Sequence, residues 1–382
     1  MKIIKIFLIL SLVLSFGLSV DPGYAQSADQ KVRVKIFHDA PVFIVVIKGD
    51  YTVREYKSDR ILNYGKKLKA KVAGYKGGIL LAGRYLAANN VFIKPNGPEE
   101  PIEINGKRFK GGLQVIKRDG VTLSLINHLR LEDYVKGIAV RETSHYWPIE
   151  TLKAEAVVFR TFALYRAEQF KNKEWDVSDD VFSQVYGGME AERYRITEAV
   201  DATKGEILQF DGKILPAFYH STCGGATEDA SVLWDIDLVP LKGVACGFCK
   251  DSPHFSWKTT VSKEKIRQLW EKNGQRIKKI NEVVIAGRDK SGRVSNLDIV
   301  TDQKDIEIAA KDFRNMIGPD IIKSTNFKIN ASSSDITFEG FGWGHGVGLC
   351  QWGAYFMGKY GSDYLKILDL YYPGSNLTKL SE

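Results

Sequence analysis

The chain of 382 residues contains few cysteines, methionines and histidines: four, four and six, respectively. The first cysteine is Cys223, so we do not expect a lipoprotein, which needs a cysteine directly after its N-terminal apolar segment. Beyond residue 25, no apolar run approaches the roughly 20 residues that cross a bilayer. Internal repeats, low-complexity segments and nucleic-acid-binding motifs are also absent, which argues against nucleic acid as a partner.

The N-terminus has the pattern of a secretory signal peptide. Lys2 and Lys5 accompany an apolar run from Ile6 to Val20, and Gly23-Tyr24-Ala25 offers small residues for cleavage. We therefore predict a cleaved signal peptide at residues 1–25, with an uncleaved anchor as the alternative. The mature protein is expected outside the cytoplasm, whether secreted, periplasmic or associated with the cell wall. Its formal charge of +8 fits either a solvated basic surface or attraction to an anionic wall polymer.

The periodicity of the remaining chain predicts an α+β fold. Short β-branched runs such as Val32–Ile36 and Val42–Val46 indicate a β-rich N-terminal portion at residues 26–125. The portion at 126–382 begins with helical periodicity between residues 129 and 170, and strands return from about residue 203. A further helix is predicted over Lys263–Lys272.

Glu142 is the main candidate for acid-base chemistry. Leu131, Val135 and Ile138 recur at helical spacing, and the next position on this apolar face is Glu142. Burial and the negative end of the helix dipole should both raise the pKa of this carboxyl, which suits a group that donates a proton near neutral pH. The alternative is a frayed helix end with Glu142 in water.

The segment from residue 339 to 354 alternates glycine with aromatic and aliphatic residues. Read as a strand, it has one face of bare glycine and another that carries His345. Two explanations are open: the glycine face is the wall of a cleft, or a neighbouring element packs tightly on it.

Three cysteines and a histidine have spacings typical of a zinc site. His220 and Cys223 form one short pair, and Cys246 and Cys249 form another. We predict a structural zinc ion bound by these four residues, with His254 as an alternative to His220, and no cofactor for catalysis. A disulfide among the same three cysteines is the competing interpretation in an exported protein. Cys350 is predicted to be a separate buried thiol.

Four ordered blocks resemble the SpoIID/LytB family of stage II sporulation protein D and amidase-enhancer proteins. These blocks cover most of the mature chain. They are Leu131-Glu132-Asp133-Tyr134-Val135-Lys136-Gly137 with Arg141-Glu142, Trp147-Pro148 and Leu152-Lys153-Ala154-Glu155-Ala156; Ser183-Gln184-Val185-Tyr186-Gly187-Gly188; Tyr219-His220-Ser221-Thr222-Cys223-Gly224-Gly225; and Gly342-Trp343-Gly344-His345-Gly346 with Gln351-Trp352-Gly353-Ala354.

The resemblance implies a lytic transglycosylase that cuts peptidoglycan glycan strands stripped of stem peptides, between N-acetylmuramic acid and N-acetylglucosamine. It also implies the alternative of a glycan-binding protein that stimulates a cell-wall amidase. The position of the family's catalytic glutamate matches Glu142. We assign substrate binding to seven further residues: Lys153, Arg160, Gln184, Tyr186, Tyr219, His345 and Gln351.

A transglycosylase of this kind needs one carboxylic acid. Glu142 would protonate the glycosidic oxygen and then take the proton of the muramyl 6-hydroxyl, whose attack closes a 1,6-anhydro ring. Ordinary glycosidases use two carboxyl groups. The sequence offers Glu132, Asp133 and Glu155 as second carboxylates, so an inverting hydrolase stays open, as does the weaker alternative of a zinc hydrolase.

Overall fold

The computed structural model describes residues 30–58, 60–179, 184–274 and 277–381. The predicted signal peptide lies outside these residues. No helix in the described ranges is long and apolar enough to span a membrane.

Two antiparallel sheets form most of the N-terminal half. One has seven strands in the order β13-β1-β12-β11-β8-β3-β4, in which only the short β13 is parallel to its neighbour, and the other has six in the order β10-β9-β2-β5-β6-β7. Alternating buried and exposed residues along these strands place their apolar faces in a shared core. Their bounds are β1 (Lys31–Ala40), β2 (Val42–Ile47), β3 (Tyr51–Glu55), β4 (Ile61–Gly65), β5 (Leu68–Tyr75), β6 (Gly78–Leu81), β7 (Arg84–Leu86), β8 (Asn90–Pro95), β9 (Ile102–Ile104), β10 (Lys107–Phe109), β11 (Gly112–Lys117), β12 (Leu123–Arg130) and β13 (Val177–Ser178).

Three helices follow the last long strand of this sheet pair and pack into the same core. They are α1 (Leu131–Glu142), α2 (Ile149–Gln169) and α3 (Tyr194–Ala202). Helix α2 is buried on almost every side, because α1, α3 and the C-terminal helices surround it.

The C-terminal part adds short strands and three helices to this core. β14 (Glu206–Phe210) pairs with β15 (Lys213–Ile214) and with β24 (Asn376–Lys379). β16 (Tyr219–His220) and β23 (Leu349–Cys350) form a two-stranded parallel sheet. Helix α4 (Ala230–Trp234) lies between them in sequence, and α7 (Gln351–Lys359) and α8 (Tyr364–Tyr371) follow β23.

A second, separate hydrophobic core lies between residues 257 and 338. It is built from two three-stranded antiparallel sheets and two helices. The elements are β17 (Ser256–Ser262), α5 (Lys263–Lys272), β18 (Ile280–Arg288), β19 (Val294–Thr301), β20 (Ile306–Ala309), α6 (Ala310–Ile317), β21 (Phe327–Ala331) and β22 (Asp335–Phe341).

The structure confirms the predicted α+β class and places the helix α5 at the predicted residues. The two cores do not divide at residue 125. The N-terminal sheets share their core with α1 and α2, and the second core lies inside the predicted catalytic portion.

The interpretation of residues 339–354 as one strand is wrong. Strand β22 ends at Phe341, and Gly342, Gly344, Gly346 and Gly348 all have positive φ, which an extended strand does not allow. A Cβ atom on Gly348 would lie 2.0 Å from the carbonyl oxygen of Phe218. Of the two explanations for the glycines, close packing of a neighbouring segment therefore applies.

Candidate functional site

Glu142 is the last residue of α1, as the periodicity predicted. Leu131, Val135 and Ile138 are fully buried along the inner face of the helix, and Glu142 continues that face at a half-buried position. The next residue, Thr143, has extended backbone and its N–H donates to the carbonyl of Ala139, which ends the helix. The carboxyl group is therefore held at a helix C-terminus, where the negative end of the dipole opposes its ionisation.

Three chain segments that are distant in sequence contact Glu142. The backbone N–H of Val185 donates to its Oε1 at 2.8 Å, and the Tyr219 hydroxyl donates to the same carboxyl group. The Gln351 side-chain amide donates to the Glu142 carbonyl oxygen at 3.0 Å and so fixes the end of α1. Burial raises the pKa of Glu142 to about 7, against the hydrogen bonds from Val185 and Tyr219, which favour the carboxylate.

Glu155 of α2 is a second carboxyl close to Glu142, but it is almost fully buried. Burial raises the pKa of Glu155 well above its usual value, against weaker opposing influences from Thr143 and Gln351. In the part of the chain that the structure describes, neither carboxyl oxygen has a hydrogen-bond partner. An enclosed Glu155 does not reach the surface, so it cannot activate a water molecule on a bound sugar.

Arg160 does not lie at a substrate surface, contrary to the sequence prediction. Its side chain is 0% exposed, its Nε and Nη2 atoms both donate to the Glu132 carboxylate at 2.8 Å, and its Nη1 donates to the Glu206 carbonyl at 3.0 Å. Arg160 therefore ties α1 to α2 and to β14. The same ion pair engages Glu132, and Asp133 is paired with Lys110 and Arg130.

Two further predicted substrate ligands also have structural partners. The ammonium group of Lys153 lies 2.7 Å from the Glu150 carboxylate and over the ring of Tyr364 in α8. The buried ring of Tyr186 packs under α1, and its hydroxyl donates to Asn127 at 3.1 Å.

Gln184 and His345 lie next to residues of the site. The buried Gln184 accepts a hydrogen bond from Tyr134 and influences the ionisation of Tyr219. His345 is hydrogen-bonded to the backbone of Tyr219, and burial lowers the pKa of its imidazole to about 3, so it is neutral at physiological pH. Together with Gln351, these residues support the groups around Glu142.

A row of half-buried aromatic rings lies beside Gln351 and includes residues that the sequence analysis missed. The ring of Trp147 contacts those of Trp352 and Tyr355, with ring centroids 5.2 Å apart in each pair. The ring of His254 lies between Trp352 and Trp343 and contacts both. We call these five residues the aromatic row. Trp352 directly follows Gln351, and this adjacency was the available sequence signal. The ammonium group of Lys323 lies 4.7 Å from the Trp343 ring centroid.

Four cysteine thiols meet in one buried cluster: Cys223, Cys246, Cys249 and Cys350. Their sulfur atoms all lie within 4.8 Å of one another. Cys350 joins the other three because β23 pairs with β16, in the register that sets Cys350 opposite His220. The prediction of a separate Cys350 was therefore wrong.

His220 lies outside this cluster. Its Nδ1 atom is 3.0 Å from the Val347 carbonyl oxygen, and its ring contacts that of His345. His254, the alternative ligand in the sequence prediction, belongs to the aromatic row instead. The four potential metal-ligand atoms that the fold brings together are thus all cysteine sulfurs.

Two sequence families match the chain. Residues 119–210 match the family described as stage II sporulation protein, which covers α1, α2, α3 and Glu142. Residues 245–348 match a domain of unknown function, which covers the second core.

Several curated proteins are similar over much longer stretches. An uncharacterized protein of Brachyspira hyodysenteriae is 31% identical over 93% of this chain and 94% of its own length. The stage II sporulation protein D of Bacillus amyloliquefaciens is 29% identical over 72% of this chain and 83% of its own length. The amidase enhancer of Bacillus subtilis is 28% identical over 64% of this chain, which corresponds to 40% of that protein. The chain belongs to the SpoIID/LytB family, which includes stage II sporulation protein D and the amidase enhancer.

Proposed function

We propose that the protein is a peptidoglycan lytic transglycosylase in which Glu142 is the single acid-base group. The observation that carries this proposal is the environment of Glu142: a half-buried carboxyl with a pKa of about 7, held by Val185 and Tyr219. Such a group is protonated in a large fraction of molecules at neutral pH and can still act as a base after it has given up its proton.

The reaction needs two proton transfers at the same carboxyl. Glu142 first donates its proton to the glycosidic oxygen between N-acetylmuramic acid and N-acetylglucosamine, and the bond from the muramyl C1 to that oxygen breaks. The carboxylate then accepts the proton of the muramyl 6-hydroxyl, whose oxygen bonds to C1 and closes the 1,6-anhydro ring. Glu142 ends protonated, as it began, and no water is consumed.

The three carboxyl groups that could have supported a two-carboxylate hydrolase are each either ion-paired or enclosed. Glu132 is paired with Arg160, Asp133 is paired with Lys110 and Arg130, and Glu155 is enclosed. None of them is placed to hold a water molecule on the opposite face of a sugar ring, as an inverting enzyme requires. This favours a mechanism with one carboxyl group.

The aromatic row is the proposed path of the glycan strand. Half-buried indole and phenol rings can pack on the apolar faces of sugar rings, and Trp352, at the centre of the row, directly follows Gln351. Lys323 and Lys359 lie over rings of this region and could attract the muramyl carboxylate. Because the substrate is cell-wall glycan, we also propose that the protein acts outside the cytoplasm.

The second candidate function is binding of glycan strands without cleavage, in support of a cell-wall amidase. The observation that favours it is the similarity to the amidase enhancer, together with an aromatic row that could bind strands whatever Glu142 does. The two functions differ only in the fate of the glycosidic bond.

Mass spectrometry of the products formed from peptide-stripped glycan strands separates the two functions. The wild-type protein and a Glu198→Gln control, which changes an exposed glutamate on α3, should both release 1,6-anhydromuramyl fragments, and Glu142→Gln should release none. Hydrolytic products with a free reducing end would contradict the mechanism. Binding of strands by all three proteins without any product would favour the amidase-supporting function.

A further inference from the structure

We propose that Cys223, Cys246, Cys249 and Cys350 bind one zinc ion as four thiolates, and that this ion fixes the segments that position Glu142. The first half of this proposal is independent of the proposed function. The second half rests on the role proposed for Glu142.

The arrangement of the sulfur atoms fits a tetrahedral site. All four lie within 4.8 Å of one another, and the sulfurs of Cys223 and Cys249 are 3.4 Å apart. A Zn–S distance of about 2.3 Å in tetrahedral geometry separates neighbouring sulfurs by about 3.8 Å, which lies between these values. Four protein ligands complete the coordination, so the ion would be structural and would leave no open position for catalysis.

Hydrogen-bond donors surround the sulfur atoms. The backbone N–H groups of Cys223 and Gly353 donate to the Cys350 sulfur at 3.2 and 3.3 Å, and that of Gly225 donates to the Cys223 sulfur at 3.4 Å. The Tyr371 hydroxyl lies 3.2 Å from the Cys246 sulfur. Donors of this kind stabilise negatively charged sulfur, and zinc ligands commonly have such partners.

The absence of a side chain at Gly353 lets the backbone of α7 lie close to the cluster. A Cβ atom at this position would lie 2.9 Å from the Cys246 sulfur and 1.9 Å from the Tyr371 hydroxyl oxygen. The first turn of α7 can therefore lie against the cluster only with glycine here. A disulfide would use two of the four thiols and would not account for the convergence of all four.

The cluster is connected to Glu142 through the sheet of β16 and β23. Tyr219, which donates to the Glu142 carboxyl, begins β16, and Cys223 follows this strand. Cys350 ends β23, and the next residue, Gln351, donates to the Glu142 carbonyl. An ion that links Cys223 to Cys350 would hold both donors in place. The ion would also link the two chain segments that flank the second core, because Cys249 precedes that core in sequence and Cys350 follows it.

Metal analysis of the protein as isolated tests the first half. We expect about one zinc per chain, X-ray absorption with four sulfur neighbours at about 2.3 Å, and an intact mass with four unoxidised cysteines. A mass lower by two hydrogens for each disulfide, without zinc, would overturn the proposal. A coordination shell that contains nitrogen would restore a histidine ligand and refute the four-sulfur set.

Two matched pairs of variants test the ligand set. Cys350→Ser should lose most of the bound zinc, and His220→Gln should keep it if it folds. Gly353→Ala should weaken zinc retention against a chelator, whereas Gly247→Ala should not, because a Cβ atom at Gly247 meets nothing within 4 Å. Equal retention in both glycine variants would contradict the packing argument.

Hydrogen exchange tests the link to Glu142 without an activity assay. After zinc removal by a chelator, peptides that contain Tyr219 or Gln351 should exchange at least tenfold faster, and those of β1–β12 should be unchanged. If the proposed function holds, kcat should fall more than KM changes. Exchange that is unaltered at both segments in zinc-free protein would refute the positioning role, and would leave the transglycosylase proposal standing.

Discussion

The pH dependence of stability provides a quantitative test of the environment of Glu142. The pKa of this carboxyl rises from 4.5 to about 7 on folding because the group is buried. As the pH increases, the unfolded chain loses this proton before the folded protein does, so the folded protein loses stability between these two values. Below pH 4.5 the titration of Glu142 costs the folded protein no stability, and above about pH 7 the loss of stability is complete.

Each unit of pKa shift corresponds to about 1.4 kcal/mol, so the total loss is about 3 kcal/mol. Glu142→Gln keeps the size of the side chain and an oxygen that accepts the Val185 N–H, but it does not titrate. The free energy of unfolding of the variant minus that of wild type should therefore increase by about 3 kcal/mol between pH 4.5 and pH 8, and this difference should then stay constant. Glu155 is present in both proteins, so only the part of its titration that depends on the charge of Glu142 enters the difference.

Chemical denaturation at a series of pH values measures this difference. The exposed Glu198→Gln variant corrects for the general effect of removing one negative charge from a basic protein. A difference between Glu142→Gln and wild type that is flat with pH would refute the burial argument. A difference that grows with the opposite sign would show that hydrogen bonds to the carboxylate outweigh its burial.

Three other substitutions test separate parts of the structure. Arg160→Lys should lower the free energy of unfolding by about 3 kcal/mol, because lysine cannot replace the bidentate pairing of the buried Arg160 side chain with Glu132. Glycan binding by the folded variant should be unchanged, and a selective loss of binding would restore the sequence prediction. Gly348→Ala should lower the melting temperature far more than Gly212→Ala. Both glycines have φ near 70°, but only a Cβ atom at position 348 would collide with the backbone of Phe218. Equal effects of the two substitutions would contradict the close packing at Gly348. Tyr219→Phe removes a hydrogen bond that favours the carboxylate, so the basic limb of the pH profile of kcat/KM should move to higher pH, and a downward shift would be inconsistent with this contact.

Local periodicity was sufficient to predict the main helices and the place of Glu142. The apolar face of α1 predicted that Glu142 follows a buried stripe, and the same reasoning gave the bounds of α5. Periodicity works for such helices because one side faces a core and the other faces solvent. Helix α2 is different, since it is buried all round, and its pattern could not show that Arg160 faces inward.

The remaining errors concern contacts between segments that are distant in sequence. Cys350 meets Cys223 only because β16 and β23 pair in parallel, and no spacing rule connects these residues. Similarly, the alternation of glycines was read as a strand, whereas Gly344 and Gly348 have positive φ and pack against residues of the β16 segment. Chain spacing predicts ligands within a motif, and it does not predict which motifs the fold brings together.

The residues that carry the family resemblance serve mainly to hold one carboxyl group. Val185, Tyr219 and Gln351 come from three different motifs, and each forms a hydrogen bond to Glu142. Charged residues that looked like substrate ligands turn out to be ion-paired within the protein. If the proposed function holds, recognition of the sugar should depend on surfaces outside these hydrogen bonds, and the exposed edges of the aromatic row around Trp352 are the surface that we propose for it. It follows that substitutions in the aromatic row should weaken strand binding and leave the pKa of Glu142 unchanged, whereas Tyr219→Phe should change the pKa of Glu142 and leave strand binding intact.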